Sequence, residues 1–233
     1  MRLSTFTRLA AALGCSLAAG VASAQFSSFY SFGDSLSDVG SFRPLPIFPP
    51  DAGTATTNPQ PLWTSWLAQR YGLSSTPANQ GGNNYAEVGA RVAQNPGSPA
   101  NFPPTAGATP VVTQIAQFVA HGPLDGGALY SVWGGGNDLF TQFELYSAGQ
   151  ITAAQAQANM SLAATQLAGG IAQLQAAGAR NLLVFNLPDA GKSPDGISTG
   201  QAATIRQVVS LYNATLNGAL DALGGNVIRV NLF

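Results

Sequence analysis

Short apolar runs alternate with amphipathic segments along this chain. The run Asn181–Phe185 (NLLVF) is continuously apolar, as expected for a strand that is buried on both faces. The segments Val111–Ala120 and Ile151–Ala177 instead repeat apolar residues at helical spacing, and Gly169-Gly170 is a point at which the longer one can be interrupted. The pattern predicts strands at Phe26–Phe32, Ala128–Trp133, Asn181–Phe185 and Asn226–Val230, and helices at Leu62–Tyr71, Val111–Ala120, Ile151–Ala177 and Thr199–Leu223.

The order of these elements predicts the fold class. Strands that alternate with helices favour an α/β fold, with a parallel sheet and helices on both of its faces. Two long segments rich in proline and glycine, Arg43–Pro61 and Gln94–Pro110, show no periodicity and are predicted loops. No repeat or linker divides the chain, so a single domain is expected.

The first 24 residues have the features of a secretory signal peptide. Arg2 and Arg8 precede an apolar run, Leu9–Val21, that is too short to span a bilayer, and Ala22–Ala24 is a small-x-small cleavage site. An uncleaved membrane anchor and lipidation at Cys15 are the alternatives. Cleavage after Ala24 would remove Cys15, the only cysteine, and so exclude a disulfide framework, a cysteine nucleophile and a thiolate metal site.

Composition narrows the classes of function. Nine basic residues against ten acidic ones leave no basic patch, which argues against a nucleic-acid partner. Charged residues make up 8% of the chain, well below the usual share of about a quarter. The polar surface must therefore come from Asn, Gln, Ser, Thr and Gly, a composition typical of exported bacterial proteins.

Three polar clusters follow predicted strands or lead into the sheet. They are Gly33-Asp34-Ser35, Asn83–Ala90 (NNYAEVGA) and Gly134–Asp138 (GGGND). Ligands of parallel α/β sheets bind beyond the carboxyl ends of the strands, where these clusters would meet. Taken singly, the serine is typical of a helix N-cap and GGGND of a turn.

In their order, FGDSLSDVG, NYAEVGA and GGGND resemble the first three sequence blocks of the GDSL or SGNH family of ester hydrolases. Asn186–Gly191 is similar to the family's Leu-Pro-x-x-Gly segment. The resemblance covers essentially all of residues 25–233 and implies an SGNH-hydrolase, flavodoxin-like α/β sandwich. The signal peptide and long loops are most similar to secreted GDSL esterases and lipases, including autotransporter passengers.

The resemblance also implies a role for individual residues. Ser35 would be the nucleophile, and its own N–H, the N–H of Gly89 and the side-chain amide of Asn137 would form the oxyanion hole. Asp34 and Asp38 would cap and orient the nucleophile turn. The family often has two glycines where this chain has Val88-Gly89, a departure expected to change loop packing more than chemistry.

A serine nucleophile needs a base, which the family supplies from an Asp-x-x-His block near the end of its catalytic domain. This sequence has no such block, and its one histidine, His121, follows a predicted helix as a solvated residue would. Asp189 and Asp195 are expected to be turn residues. We therefore expect residues 25–233 to be the N-terminal portion of a GDSL hydrolase domain, cut before its triad acid and histidine and weak or inactive alone. The alternative is a catalytically silent secreted surface or binding protein.

The remaining expectations concern ligands and location. Four aromatic residues either line an apolar cleft or only pin long loops to the core: Phe42, Phe48, Trp63 and Phe102. Lipid esters, polysaccharide acetyl esters and small aryl esters all remain open as substrates. No metal site and no nucleotide cofactor are expected, because ligand clusters and phosphate-binding spacing are missing. We expect a monomer that is secreted, periplasmic or at the cell surface, and family analogy allows outer-membrane anchoring through a further C-terminal region.

Overall fold

The computed structural model of the protein describes residues 25–49, 53–59 and 61–233. The predicted signal peptide, residues 1–24, lies outside the described residues. In chain order the elements are β1 (Phe29–Gly33), α1 (Trp63–Arg70), α2 (Pro103–Ala106), α3 (Val111–Val119), β2 (Leu129–Trp133), α4 (Gly136–Ser147), α5 (Ala153–Ala176), β3 (Asn181–Phe185), α6 (Pro194–Ser198), α7 (Ala202–Leu223) and β4 (Val227–Val230), with 3₁₀ turns at Ala78–Gln80 and Ala190–Lys192.

The four strands form one parallel sheet in the order β1-β2-β3-β4. Gly33 at the end of β1 pairs with Trp133 at the end of β2, so the carboxyl ends of these strands share one edge. The outer side of β1 is covered by the segment 83–87, which exchanges backbone hydrogen bonds with Ser31 and Gly33. This arrangement confirms the predicted parallel α/β fold.

Helices cover both faces of the sheet. On one face, residues of α3, α4, α5 and α7 join Tyr130 and Val132 of β2 in the main hydrophobic core. On the other face, Phe29 and Leu129 pack in a smaller cluster with Ala68 of α1. Alternate residues of β1, β2 and β3 therefore face different cores, which explains why apolar residues occur on both faces of these strands.

Helix α5 runs without a break through Gly169-Gly170, so the predicted point of interruption is wrong. A Cβ at position 170 would lie 3.1 Å from Cδ1 of Ile115, which shows that the glycine allows α3 to pack closely against α5. Thr152 begins the helix with a capping box that it forms with Gln155. None of the helices within the described ranges is both long and apolar enough to cross a membrane.

Two predicted boundaries and one predicted turn differ from the structure. Phe26 precedes β1 because its ring packs edge-on against Tyr71, with centroids 5.0 Å apart, instead of joining the sheet. The predicted helix from Thr199 begins at Ala202, after Gly200 with φ +70° has separated it from α6. The GGGND segment is not a simple turn, since Gly135 with φ +107° directly precedes the first residue of α4.

Candidate active site

Ser35 lies on a tight turn directly after β1. The carboxylate of Asp34 accepts a hydrogen bond from the Leu36 N–H (3.0 Å), and the Asp34 carbonyl accepts from the N–H groups of Ser37 (2.9 Å) and Asp38 (3.0 Å). Asp34 thus closes the turn with both its side chain and its main chain. Because the backbone forms a turn at this point, Ser35 does not begin a helix, and its side chain is only half-buried.

The carbonyl groups of this turn are held by side chains from distant parts of the chain. Three successive carbonyls each accept a hydrogen bond, so the turn is fixed from outside as well as from within. The donors are Thr56 Oγ1 to the Ser35 oxygen (3.1 Å), Trp63 Nε1 to the Leu36 oxygen (2.8 Å) and Asn84 Nδ2 to the Ser37 oxygen (2.8 Å).

Trp63 is therefore part of the support for the turn. Its ring contacts those of Phe29, Trp133 and Phe185, with centroid separations of 6.3, 6.3 and 4.7 Å. Of the two roles that the sequence leaves open for Trp63, these contacts favour the one that pins a loop to the core, because its N–H is bound to the Leu36 carbonyl and its ring packs among other aromatic residues.

Gln114, a residue that the sequence analysis did not single out, anchors the residue that precedes the turn. Its Oε1 accepts from the Gly33 N–H (2.9 Å), while its Nε2 donates to the carbonyls of Gly33 (3.0 Å) and Thr109 (2.8 Å). The side chain is buried in the first half of α3. Its position on the apolar face of a helix was the only signal in the sequence, since a glutamine there must find buried polar partners.

Asp38 joins the nucleophile turn to the loop that contains Gly89. Its carboxylate accepts from the N–H groups of Gly40 (2.7 Å), Ser41 (2.7 Å) and Val88 (2.9 Å). Gly89 follows with φ +82°, and a Cβ there would lie 2.4 Å from Cβ of Thr105. Both the backbone conformation and the close approach require glycine at this position.

Asn137 brings the third cluster to the same place. It lies in the first turn of α4, is buried, and donates one hydrogen bond from Nδ2 to the carbonyl of Ala90 (2.9 Å), the residue after Gly89. A carboxamide has two N–H groups, so this bond fixes the side chain and leaves the second donor available. The three predicted oxyanion-hole residues thus lie in segments that pair or hydrogen-bond directly with one another.

The backbone donors of these segments are open. Across the part of the chain that the structure describes, neither the Ser35 N–H nor the Gly89 N–H donates to a protein acceptor. Buried backbone N–H groups are nearly always paired, so the open N–H of the buried Gly89, in the loop that Asp38 joins to the Ser35 turn, indicates a place for an external acceptor. Fixed donors of this kind stabilise an oxygen that gains negative charge during a reaction.

Buried carboxyl groups surround this arrangement. Burial raises the pKa of Asp34 to about 7, the Leu36 N–H opposes the shift, and the nearby Asp138 and Asp38 add to it. Burial also raises the pKa of Asp138, against the hydrogen bond from the Val92 N–H (2.8 Å) and the Arg91 guanidinium, whose Nε lies 3.4 Å away. The Arg91–Asp138 pair was not predicted from the sequence, because the segment that contains Asp138 was expected to be a turn and not the start of a helix.

Tyr212 of α7 fixes the glycines that precede Asn137. Its hydroxyl donates to the Gly134 carbonyl (2.8 Å), and a Cβ at Gly135 would lie 2.6 Å from the tyrosine ring. Burial raises the pKa of Tyr212 well above its ordinary value, so the hydroxyl stays a donor. Apart from the helical spacing of its apolar neighbours, no signal in the sequence linked Tyr212 to this site.

A cavity of about 420 Å³ lies beside the nucleophile turn. It is lined by three of the four aromatic residues for which a cleft was considered from the sequence: Phe42, Phe48 and Phe102. Val88, whose N–H is bound by Asp38, forms part of the same wall. The cavity therefore lies next to the loop that carries Gly89.

His121 lies at the opposite edge of the sheet. Helix α3 runs antiparallel to β1, since Gln114 binds Gly33 at the carboxyl end of the strand while the ring of Phe118 packs on Tyr30 nearer its start (4.7 Å). His121 follows the helix end and is exposed. It is far from Ser35, as expected for a solvated residue.

The two other acids that the sequence analysis considered lie in a loop after β3. Asp189 forms ion pairs with Arg206 (3.0 Å) and Lys192 (3.6 Å), and Asp195 is exposed in the first turn of α6. Within the described ranges, no group of three or more His, Cys, Asp or Glu side chains is arranged to hold a metal ion.

Comparisons with known proteins identify the family of the chain. The chain matches the family model of the GDSL-like lipase/acylhydrolases over residues 29–231, which include all four strands and the three polar clusters. A Pseudomonas putida relative, described as an uncharacterized protein in the trpE-trpG intergenic region, is 29% identical; the match covers 99% of this chain but only 40% of the relative, so the chain spans less than half of that protein's length. On the family match, the chain belongs to the GDSL-like lipase/acylhydrolase family.

Proposed function

We propose that the protein is a serine carboxylic-ester hydrolase in which Ser35 is the nucleophile. Membership of the family implies acyl hydrolase activity. The observation that supports Ser35 is the pair of open N–H groups, its own and that of Gly89, in segments joined through Asp38 and Val88. The second amide N–H of Asn137 completes a set of three donors for one acyl oxygen.

The proposed reaction has two halves. Oγ of Ser35 forms a bond to the carbonyl carbon while its proton passes to a base, and the carbonyl oxygen becomes an oxyanion bound by the three donors. Collapse of this intermediate breaks the ester bond, and the alcohol leaves with the proton. Water then repeats the attack on the acyl-enzyme, which releases the carboxylic acid and restores Ser35. Asp34 and Asp38 act as supporting residues that fix the turn and the Gly89 loop.

The base in this proposal is a histidine, oriented by an aspartate, from outside these 233 residues. The one histidine of the chain, His121, lies at the wrong edge of the sheet. Loss of the triad histidine in subtilisin lowers kcat roughly a millionfold, so these residues alone are expected to hydrolyse esters very slowly. Assay of the 233-residue chain with a chromogenic short-chain ester tests this point, and turnover typical of an ordinary esterase would contradict it.

A fluorophosphonate probe tests the nucleophile. The protein isolated from its natural host is expected to be labelled on Ser35, as located by mass spectrometry of the modified peptide, and Ser35→Ala should abolish labelling. Ser37→Ala is the matched control, because Ser37 lies in the same turn and its buried hydroxyl has no hydrogen-bond partner among the described residues. Labelling that survives Ser35→Ala would refute the assignment.

A catalytically silent surface or binding protein is the second candidate. The position of His121 favours it, since the fold and the oxyanion donors can persist without a base. The two candidates differ in the probe experiment: natural protein that is folded by circular dichroism but unlabelled at Ser35 would support the silent protein.

We also propose export of the protein, with cleavage after Ala24. The motivation is the charged, apolar and small-residue pattern of residues 1–24. N-terminal sequencing of the mature protein should begin at Gln25, and a retained Met1 would contradict export by this route. A single species of monomer mass in light scattering is expected for the same preparation.

A further inference from the structure

We propose that the cavity beside the nucleophile turn binds the acyl group of the substrate and favours acyl chains longer than acetyl. This inference rests on the proposed ester hydrolysis at Ser35 and names the substrate class of that site. This space of about 420 Å³, called the acyl cavity, is lined by Phe42, Phe48 and Phe102 together with Val88, Ala55 and Pro104.

The acyl cavity touches the catalytic region on two sides. On one side, Ala55 lines it and the next residue, Thr56, donates from Oγ1 to the Ser35 carbonyl (3.1 Å). On the other side, Val88 lines it and directly precedes Gly89, whose N–H is open. A carbonyl group held between Ser35 and Gly89 would therefore have the cavity beside it.

The wall is mainly apolar and aromatic, and Thr54 is its one polar side chain among the described residues. The rings of Phe42 and Phe48 lie 4.8 Å apart, and those of Phe48 and Phe102 lie 6.5 Å apart and nearly perpendicular. No charged side chain of the described residues lines the cavity. Phe102 is 42% exposed, so a molecule that enters the cavity can contact its ring.

The acyl side of the ester fits this cavity better than the alcohol side. In the proposed reaction the acyl group stays bonded to Ser35 through both halves, while the alcohol leaves after the first. A fixed apolar wall beside the serine therefore acts on the acyl group throughout. An acetyl group is too short to contact three phenylalanine rings, so the wall should favour longer chains.

Neutral amides test the inference without any chemical step. N-methylacetamide, N-methylbutanamide and N-methyloctanamide carry the same carbonyl and differ only in acyl length. Their Kd values for the 233-residue chain, measured by NMR titration, are expected to fall about fourfold for each methylene that enters the cavity. The same Kd for all three amides would overturn the inference.

Two variants test the location of binding. Phe102→Ala removes an exposed ring and should remove most of the gain from chain length, and Ala55→Phe should fill the cavity and weaken octanamide binding while leaving acetamide unchanged. Leu162→Ala is the matched control, since it removes an exposed apolar side chain from α5, which contributes nothing to this cavity. Chain-length dependence that is intact in both Phe102→Ala and Ala55→Phe would refute the acyl cavity.

A reversed series tests the choice of the acyl side. N-butylacetamide and N-octylacetamide place the chain on the leaving-group side, and their Kd should respond little to Phe102→Ala. An equal response would refute the acyl assignment. The binding assay does not need attack by Ser35, so the two proposals can fail separately. If the probe does not label Ser35 but amide binding depends on Phe102, ester hydrolysis alone is rejected. If the probe labels Ser35 but the Kd does not depend on chain length, the acyl cavity alone is rejected.

Discussion

The carboxyl edge of the sheet has two halves that are built in opposite ways. After β1 and β2, side chains bind the backbone around Ser35, Gly89 and Asn137, while the donors in the middle stay open. After β3 and β4, the polar groups pair with one another. Asn186 donates to Asn231 (2.7 Å) and accepts from the Leu232 N–H (2.7 Å).

Polar groups of the second half are also hydrogen-bonded where this half contacts α7. Asn213 accepts from the Leu187 N–H (2.9 Å) and donates to the Leu187 carbonyl (2.8 Å). Within the described residues, Asn186 and Asn213 each keep one side-chain N–H unbound, as Asn137 does, but the backbone N–H groups of Asn186, Leu187 and Leu232 all have protein acceptors. The two halves therefore differ in their backbone donors: those of Ser35 and Gly89 are open, and those of the second half are bound.

The largest expected effect is the pH dependence of stability that Asp34, in the first half of the edge, produces. Its pKa is raised from 3.8 to about 7, so the folded protein keeps a proton that the unfolded chain loses. The free energy of unfolding should therefore fall as pH rises from about 4 to about 7, by up to about 4 kcal/mol from this group, and level off above. Asp34→Asn should lack this decrease in the free energy of unfolding, so the variant should be more stable than the wild type at pH 8. Urea unfolding at pH 4, 6 and 8 would measure the difference.

The control for this measurement is Asp195→Asn, which changes an exposed carboxyl group outside the first half of the edge. It should leave the pH dependence as in the wild type. A wild-type slope that is unchanged in Asp34→Asn would contradict the buried, protonated state of Asp34.

The next effect compares equivalent asparagines in the two halves. Asn137→Ala should lower the rate of fluorophosphonate labelling of Ser35 by about 10²–10³-fold, the usual cost of one oxyanion donor. Asn186→Ala also removes a buried carboxamide that makes hydrogen bonds, but from the second half, and should leave the rate within about threefold. Similar losses of rate in both variants would erase the distinction between the halves.

Gln114 provides a smaller effect that concerns stability. Gln114→Leu should lower the free energy of unfolding by about 2–3 kcal/mol, because the buried N–H of Gly33 loses its acceptor. Gln117→Leu, the same change at an exposed position of the same helix, should stay within about 0.5 kcal/mol of the wild type. Urea unfolding measures both, and equal losses would show that the contact with Gly33 is unimportant.

The smallest effect is expected at His121. Because this residue is exposed at the opposite edge of the sheet, His121→Ala should change neither the labelling rate of Ser35 nor, beyond about 0.5 kcal/mol, the stability. A tenfold fall in labelling would return His121 to consideration as the base.

Much of the fold could be predicted from the sequence because its signals are local. The strand Asn181–Phe185 was predicted to the residue, since a buried parallel strand is a continuous apolar run. Helix α4 was missed because Gly134-Gly135-Gly136 is typical of a turn, and the conformation that lets a helix begin there depends on Tyr212, far along the chain.

Residues of the candidate site were also predictable only where their signal in the sequence is local. Ser35, Gly89 and Asn137 were expected from their sequence blocks, and the structure brings those segments together. Gln114 and the Arg91–Asp138 pair were not expected, because their contacts join residues many positions apart or depend on a helix that was missed. The sequence motifs therefore indicated the candidate residues, but not the residues that hold them in place.

The unbroken helix α5 has a practical consequence for these measurements. At Gly169 the outer face is open, and an added methyl would touch nothing within 4 Å, whereas the same change at Gly170 would press on Ile115. Alanine is about 1 kcal/mol better than glycine inside a helix. Gly169→Ala thus offers a more stable parent protein, in which destabilised variants of the candidate site can still be purified folded.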